Sequence, residues 1–151
     1  MSFSKENINE LYRYSLSLTH NHHAAQDLVS ESIEKILSRA FVINKIAYAK
    51  RCIRNKFYDN YRLQSKFMDI EVEEAASENE LEKLTLDKKY LEYLLKDLSP
   101  QERELLYLWA VEEHSLQQIA NFTKTPKGTL TSRIFRIREK IKKTKDVHNE
   151  R

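Results

Sequence analysis

The chain has one glycine, two prolines and one cysteine in 151 residues, and each scarcity closes off a class of protein. Hairpin turns and phosphate-cradling loops rely on glycine, so β-meanders and P-loops have almost no raw material here. With Cys52 alone there is no disulfide framework, no thiolate zinc site and no C-x-x-C pair, which fits a reducing cytoplasm. Long apolar runs are missing as well. The N-terminus, MSFSKENINELYRY, lacks the uninterrupted apolar core of a signal peptide. No window approaches the roughly 18 apolar residues of a membrane span. The expectation is a cytoplasmic protein with no membrane insertion.

What is abundant is leucine, isoleucine, lysine and glutamate at helical spacing, which predicts an all-α fold. A first helix is expected from residue 5 to about 20, with Ile8, Leu11, Tyr12 and Leu18 close to one face. The polar run His20 to His23 interrupts it. A second follows from Ala24 to Arg39, turning Leu28, Val29, Ile33, Ile36 and Leu37 inward. After a short connection, Ala40 to Asn44, a third runs from Lys45 to about Lys66. Its inner face carries Ile46, Ala49, Ile53 and Phe57, and its outer face mixes basic with aromatic residues.

Charge divides the chain into blocks. Residues 1–66 hold eleven Lys and Arg against six Asp and Glu, 67–98 hold four against ten, and 99–151 hold eleven against seven. The segment FMDIEVEEAASEN shows no sustained period and reads as an acidic linker, which gives domains at 1–66 and 81–151 joined by 67–80. Helical patterning resumes with Leu81, Leu84, Tyr90, Leu91, Leu94, Leu95 and Leu98. Ser99, Pro100 and Glu102 then form a helix start, and that helix is expected to bury Leu105, Leu108 and Trp109 before ending near Glu112 to His114.

The stretch from Ser115 to Arg138 reads as two short helices around a turn. Ser115 and Gln118 suit a capping box, and Leu116, Ile119, Ala120 and Phe122 supply an apolar face. Thr125 stands where a second cap is expected, with Pro126 as the first helical residue. Along that second helix Leu130, Ile134, Ile137 and Ile141 form a buried stripe. Lys127, Thr129, Thr131, Ser132, Arg133, Phe135 and Arg136 point elsewhere, and hydroxyls and guanidinium groups placed so can reach base edges and phosphates in a major groove. Arg138, Lys140, Lys142 and Lys143 suit neutralisation of the backbone. The competing structural reading is a surface helix with solvated basic residues.

Other constellations say less about chemistry. On the third helix Arg51, Arg54, Tyr58, Tyr61 and Arg62 suit single-stranded or locally opened DNA, with bases stacked on rings and phosphates held by arginines. The alternative is that the tyrosines are half-buried packing residues. His20, His22 and His23 lack the i, i+4 pair and the added carboxylate or thiolate of a zinc site, so no metal is expected. No nucleophile elbow, P-loop or metalloprotease motif is present, so no catalytic residue and no cofactor are assigned.

Taken in order, these features resemble an extracytoplasmic-function (ECF) sigma factor of bacterial RNA polymerase. LYRYSLSLTHNHHAAQDLVSESIEKI looks like the family's LYRYALRLTGDPDDAEDLVQETFLRAW pattern. AYAKRCIRNKFYDNYR is similar to WLYRIARNLAIDHLRR, with Arg51, Arg54, Asn55, Asp59 and Arg62 at matching places. The segment from Leu98 to Ile141 resembles region 4, where P-x-G-T-hydrophobic-x-S-R-hydrophobic-x-R is carried by Pro126, Gly128, Thr129, Leu130, Ser132, Arg133, Ile134 and Arg136. The resemblance implies a region 2-like three-helix bundle and a region 4-like helix-turn-helix domain.

The resemblance also implies roles. Asp27, Leu28, Val29, Glu31 and Glu34 would dock on the β′ clamp of core polymerase. The third helix, through Arg51, Arg54, Asn55, Tyr58, Tyr61 and Arg62, would melt and read the minus-ten element together with the connection before it. The C-terminal recognition helix would read the minus-thirty-five element, region 4 would contact the β flap, and an anti-sigma factor would be a partner. Lys124 replaces the usual turn glycine, so either a non-glycine is held at φ > 0, a cost on the order of 1 kcal/mol, or the turn has another shape. Tyr48 stands where tryptophan is common, Thr131 where a basic residue is common, and the Ala40 to Asn44 connection is short for the family. The alternative function is a sigma-like helix-turn-helix regulator that binds DNA without core polymerase; an adaptor that binds core without supporting transcription is a third.

Overall fold

The structure, a computed structural model, describes residues 2–39, 41–66 and 95–149. The chain divides into two compact units, Met1–Ala76 and Ser77–Arg151. The acidic stretch 67–80 and the helical pattern from Leu81 to Leu94 lie outside the described residues.

The first unit is a bundle of α1 (Lys5–Thr19), α2 (His22–Leu37) and α3 (Lys45–Lys66), each packed on the other two. Polar caps set the starts. Ser4 and Asn7 form a reciprocal capping box, the Asn21 side chain accepts from Ala24 N–H at 2.9 Å, and Asn44 accepts from Ala47 N–H at 3.1 Å. Leu11, Tyr14, Leu18, Ala25, Leu28, Val29, Ile36, Ala49 and Ile53 form the core. Ser15 is wholly buried, and its hydroxyl donates to the Ala25 carbonyl at 3.1 Å, tying α1 to α2. Lys50 on α3 is 8% exposed and reaches the Glu10 carboxylate on α1 at 2.9 Å.

Several sequence expectations shift by part of a turn. Ile8 is 40% exposed and Tyr12 half-buried, because the inner face of α1 runs through Tyr14 and Ser15 instead. Leu37, expected inward, is 52% exposed as the last residue of α2. The break between the first two helices is only His20 and Asn21. His20 caps α1 in the left-handed region at φ 49, and Asn21 starts α2 at once, so His22 and His23 are already helical.

In the second unit α4 (Pro100–Leu106) runs into a π-helical turn (Tyr107–Val111), followed by α5 (Leu116–Thr123) and α6 (Lys127–Asn149). Ser99 and Glu102 make the expected capping box ahead of Pro100. The π turn closes with Glu112 N–H donating to Tyr107 O at 3.0 Å, and Glu113 then reverses the chain at φ 58. Leu105, Leu108, Ile119, Ala120, Leu130, Ile134 and Ile137 fill the core.

One carboxylate joins the ends of this unit. Glu102 Oε1 accepts from Ser99 N–H at 3.0 Å and from the Lys140 ammonium on α6 at 2.6 Å. Burial pushes the Glu102 carboxyl up, but the hydrogen bonds from Lys140 and Ser99 and the Lys140 charge outweigh it and hold the group below its ordinary value of 4.5.

Two predictions follow the only tryptophan, Trp109, whose fluorescence reports unfolding of the second unit. Lys124 is held at φ 56, so Lys124→Gly should raise the unfolding free energy by about 0.5–1 kcal/mol, and a lower urea midpoint would contradict the strain. A depressed Glu102 contributes its full stabilisation above the unfolded value and loses it as pH falls through the folded one. Stability should therefore drop as pH falls below 4.5, and Glu102→Gln, weaker at neutral pH, should lack that part of the drop.

Candidate nucleic-acid and protein interfaces

The reading pair is built by local polar bonds. Ser115 Oγ accepts from Gln118 N–H at 3.1 Å, and Gln118 Oε1 accepts from Ser115 N–H at 2.9 Å, so α5 starts where the capping box predicted. The turn is closed by Lys124 in the left-handed region, with Thr125 N–H donating to Ala120 O at 3.1 Å. The second cap differs from expectation. Leu130 N–H donates to Pro126 O at 3.2 Å, so Pro126 itself is the cap, and the Thr125 hydroxyl turns back to the Thr123 carbonyl.

On α6 the stripe Leu130, Ile134 and Ile137 is 1%, 9% and 2% exposed, which fixes the opposite face outward. Lys127, Thr131, Ser132, Phe135 and Arg136 are exposed there, while Thr129 and Arg133 are half-buried at its margin. Phe135 is 65% exposed, an aromatic ring that the domain core does not use. The Thr131 hydroxyl donates to the Lys127 carbonyl at 3.1 Å, leaving an acceptor and a methyl to offer a groove. Two residues expected at the DNA backbone are otherwise engaged: Lys140 pairs with Glu102, and the Arg138 guanidinium lies 5.5 Å over the Trp109 ring.

In the first unit α3 presents a second mixed surface. Arg54 lies 4.7 Å over the Tyr58 ring, Phe57 meets Tyr58 edge-on, and Phe57 and Tyr61 stack with planes 23° apart. Arg51, Arg54 and Tyr58 are half-buried, whereas Asn55, Tyr61 and Arg62 are exposed. Arg62 pairs with Asp59 at 3.0 Å, an exposed i, i+3 contact of little energy. Tyr58 is half-buried beneath Arg54, and Tyr61, stacked on Phe57, is 40% exposed. Sequence reading named neither Phe41 nor Ile43, which are 79% and 91% exposed in the connection before α3. Their signal was two large apolar residues in a stretch too short to bury them.

The α2 surface splits the residues expected at core polymerase. Asp27, Glu31 and Glu34 are exposed at helical spacing, but Leu28 and Val29 are 7% and 5% exposed and belong to the bundle core. They are i, i+1 neighbours on the buried side of an amphipathic helix, whose exposed side carries the three acidic residues. Behind that face a shallow groove of about 500 Å³ between α2 and α3 is lined by Glu31, Glu34, Lys35, Cys52 and Lys56 among others.

The histidines are used locally: His22 Nδ1 hydrogen-bonds the Tyr12 hydroxyl, and His20 serves as a helix cap. Among the described residues no three His, Cys, Asp or Glu side chains are grouped to hold a metal ion, and no helix is long and apolar enough to cross a membrane.

Comparison with known proteins gives a consistent result. Residues 3–67 match the family model for sigma-70 region 2, and residues 88–141 match that for sigma-70, region 4. Among solved structures, the chain is similar to the sigma factor RpoE of Bartonella quintana, determined in complex with the anti-sigma factor NepR. The two are 24% identical with a TM-score of 0.72, over 94% of this chain and 93% of that one, a likeness of fold. No curated protein matches.

Leu28→Ala should cost the first unit about 2–5 kcal/mol, read by urea unfolding followed by circular dichroism. Glu31→Ala on the exposed face should change that stability by less than about 0.5 kcal/mol. Equal, small effects of the two would show that Leu28 is not a core residue.

Proposed function

The chain belongs to the sigma-70 family, and we propose that it is an ECF-type RNA polymerase sigma factor whose two domains divide one promoter between them. The bared face of α6 carries the reading: Thr131, Ser132, Phe135 and Arg136 stand opposite the buried Leu130, Ile134 and Ile137. A helix held by one stripe and bare on the other suits the major groove of duplex DNA, here the minus-thirty-five element. Lys127, Thr129 and Arg133 at its margin suit phosphates and groove edges.

The α3 surface is assigned to the minus-ten element. Arg51 and Arg54 would hold phosphates, Asn55 and Arg62 would face the opened strand, and Tyr61 would stack on a base, with Tyr58 supporting Arg54 from beneath. Asp27, Glu31 and Glu34 form the acidic face for the β′ clamp of core polymerase, with Leu28 and Val29 setting its position. Region 4 would meet the β flap. The similar RpoE was solved with an anti-sigma factor, which supports such a partner here. This function is binding, without a catalytic residue or a cofactor, and it belongs to the cytoplasm where polymerase works.

Reconstitution tests it. Added to core polymerase, the protein should direct initiation at a defined promoter. Arg136→Ala should weaken binding to the upstream duplex by about 1–3 kcal/mol. Glu31→Lys should weaken core binding while the fold survives. Absence of any core polymerase binding would overturn the assignment, and tight, salt-dependent operator binding by the free protein would point to the polymerase-independent regulator.

A further inference from the structure

The only glycine of the chain is Gly128, and nothing among the described residues asks for it. Its φ is not positive, and a β-carbon built on it would meet nothing within 4 Å. Yet three described non-glycine residues, His20, Glu113 and Lys124, sit at φ 49, 58 and 56, where glycine would relieve strain. The chain therefore leaves these left-handed turns to side-chain-bearing residues and places its glycine in the first turn of α6, where no backbone conformation calls for it.

What the fold does not require, the outside of the helix does. Thr131, Ser132 and Phe135 follow Gly128 by three, four and seven residues, so all four share one side of α6, and all are exposed. Gly128 is thus the one gap in a row of exposed side chains on the face assigned to DNA. We propose that Gly128 is a clearance point for duplex DNA, where the missing side chain lets the DNA approach the α6 backbone more closely than a β-carbon permits. This deepens the promoter reading above and rests on it.

The test separates clearance from a structural role because the two effects have opposite signs. Holoenzyme assembled from core polymerase and the full chain is titrated onto the duplex that wild-type holoenzyme enriches from a randomised pool. Gly128→Ala should leave the Trp109-reported urea midpoint unchanged or raised, leave core polymerase affinity unchanged, and lower duplex affinity by about tenfold. Gly128→Leu should lower duplex affinity further with the fold intact. Wild-type duplex affinity in Gly128→Ala overturns the proposal, and so does a fall in its unfolding midpoint, since the glycine would then serve the fold. If wild-type holoenzyme enriches no duplex at all, the promoter reading fails and this inference fails with it. Equal binding of wild type and variant to an enriched duplex removes only the role of Gly128.

Discussion

The structure depends on turning helices without glycine. Three described chain reversals, after α1, after the π turn and between α5 and α6, are made by His20, Glu113 and Lys124 in the left-handed region. Each conformation costs on the order of 1 kcal/mol for a residue with a β-carbon. Capping boxes of similar size offset it: Ser4 with Asn7, Ser99 with Glu102, and Ser115 with Gln118 each satisfy two helix-end donors. Short connections then follow, and they keep the helices of each domain packed on one another.

Within that frame, an ion pair in each domain ties a long helix to an earlier one. Lys50 carries α3 to Glu10 of α1, and Lys140 carries α6 to Glu102 at the start of α4. Both contacts sit beside apolar stripes that already choose the buried side. Their effect is on rotation: they fix which residues of α3 and α6 remain outside. Arg136 and Phe135 on one helix, and Tyr61 and Asn55 on the other, are outward because Ile134 and Ile137, or Ala49 and Ile53, cannot be.

Much of this was legible in the chain because caps and stripes are local. The bounds of α3, the boxes at Ser99 and Ser115, the buried Leu130, Ile134 and Ile137, and the strained Lys124 all follow from residues within one or two turns. The misses have tertiary causes. Tyr14 and Ser15 displace Ile8 and Tyr12 from the core of α1 because the Ser15 hydroxyl bonds the Ala25 carbonyl across the interface, which hydrophobic periodicity cannot register. The π turn at Tyr107–Val111 changes each bond by one residue without changing the helical pattern. The inward placement of Leu28 and Val29, by contrast, was legible from the amphipathic pattern of α2.

Dividing recognition between two small domains also accounts for how modest each surface is. Residues 1–66 exceed neutrality by five charges and 99–151 by four, a modest excess that internal pairs such as Lys50 with Glu10 and Lys140 with Glu102 leave unchanged. So modest a net positive charge suits each domain alone to weak binding of phosphates. Two weak sites on one chain nonetheless bind strongly together, because engaging one raises the effective concentration of the other, to millimolar values for short flexible connections. Such a device rewards selectivity in each contact over strength. A face of hydroxyls, one aromatic ring, one exposed arginine and a glycine gap is built for discrimination, and the polymerase and the second domain supply the affinity it lacks.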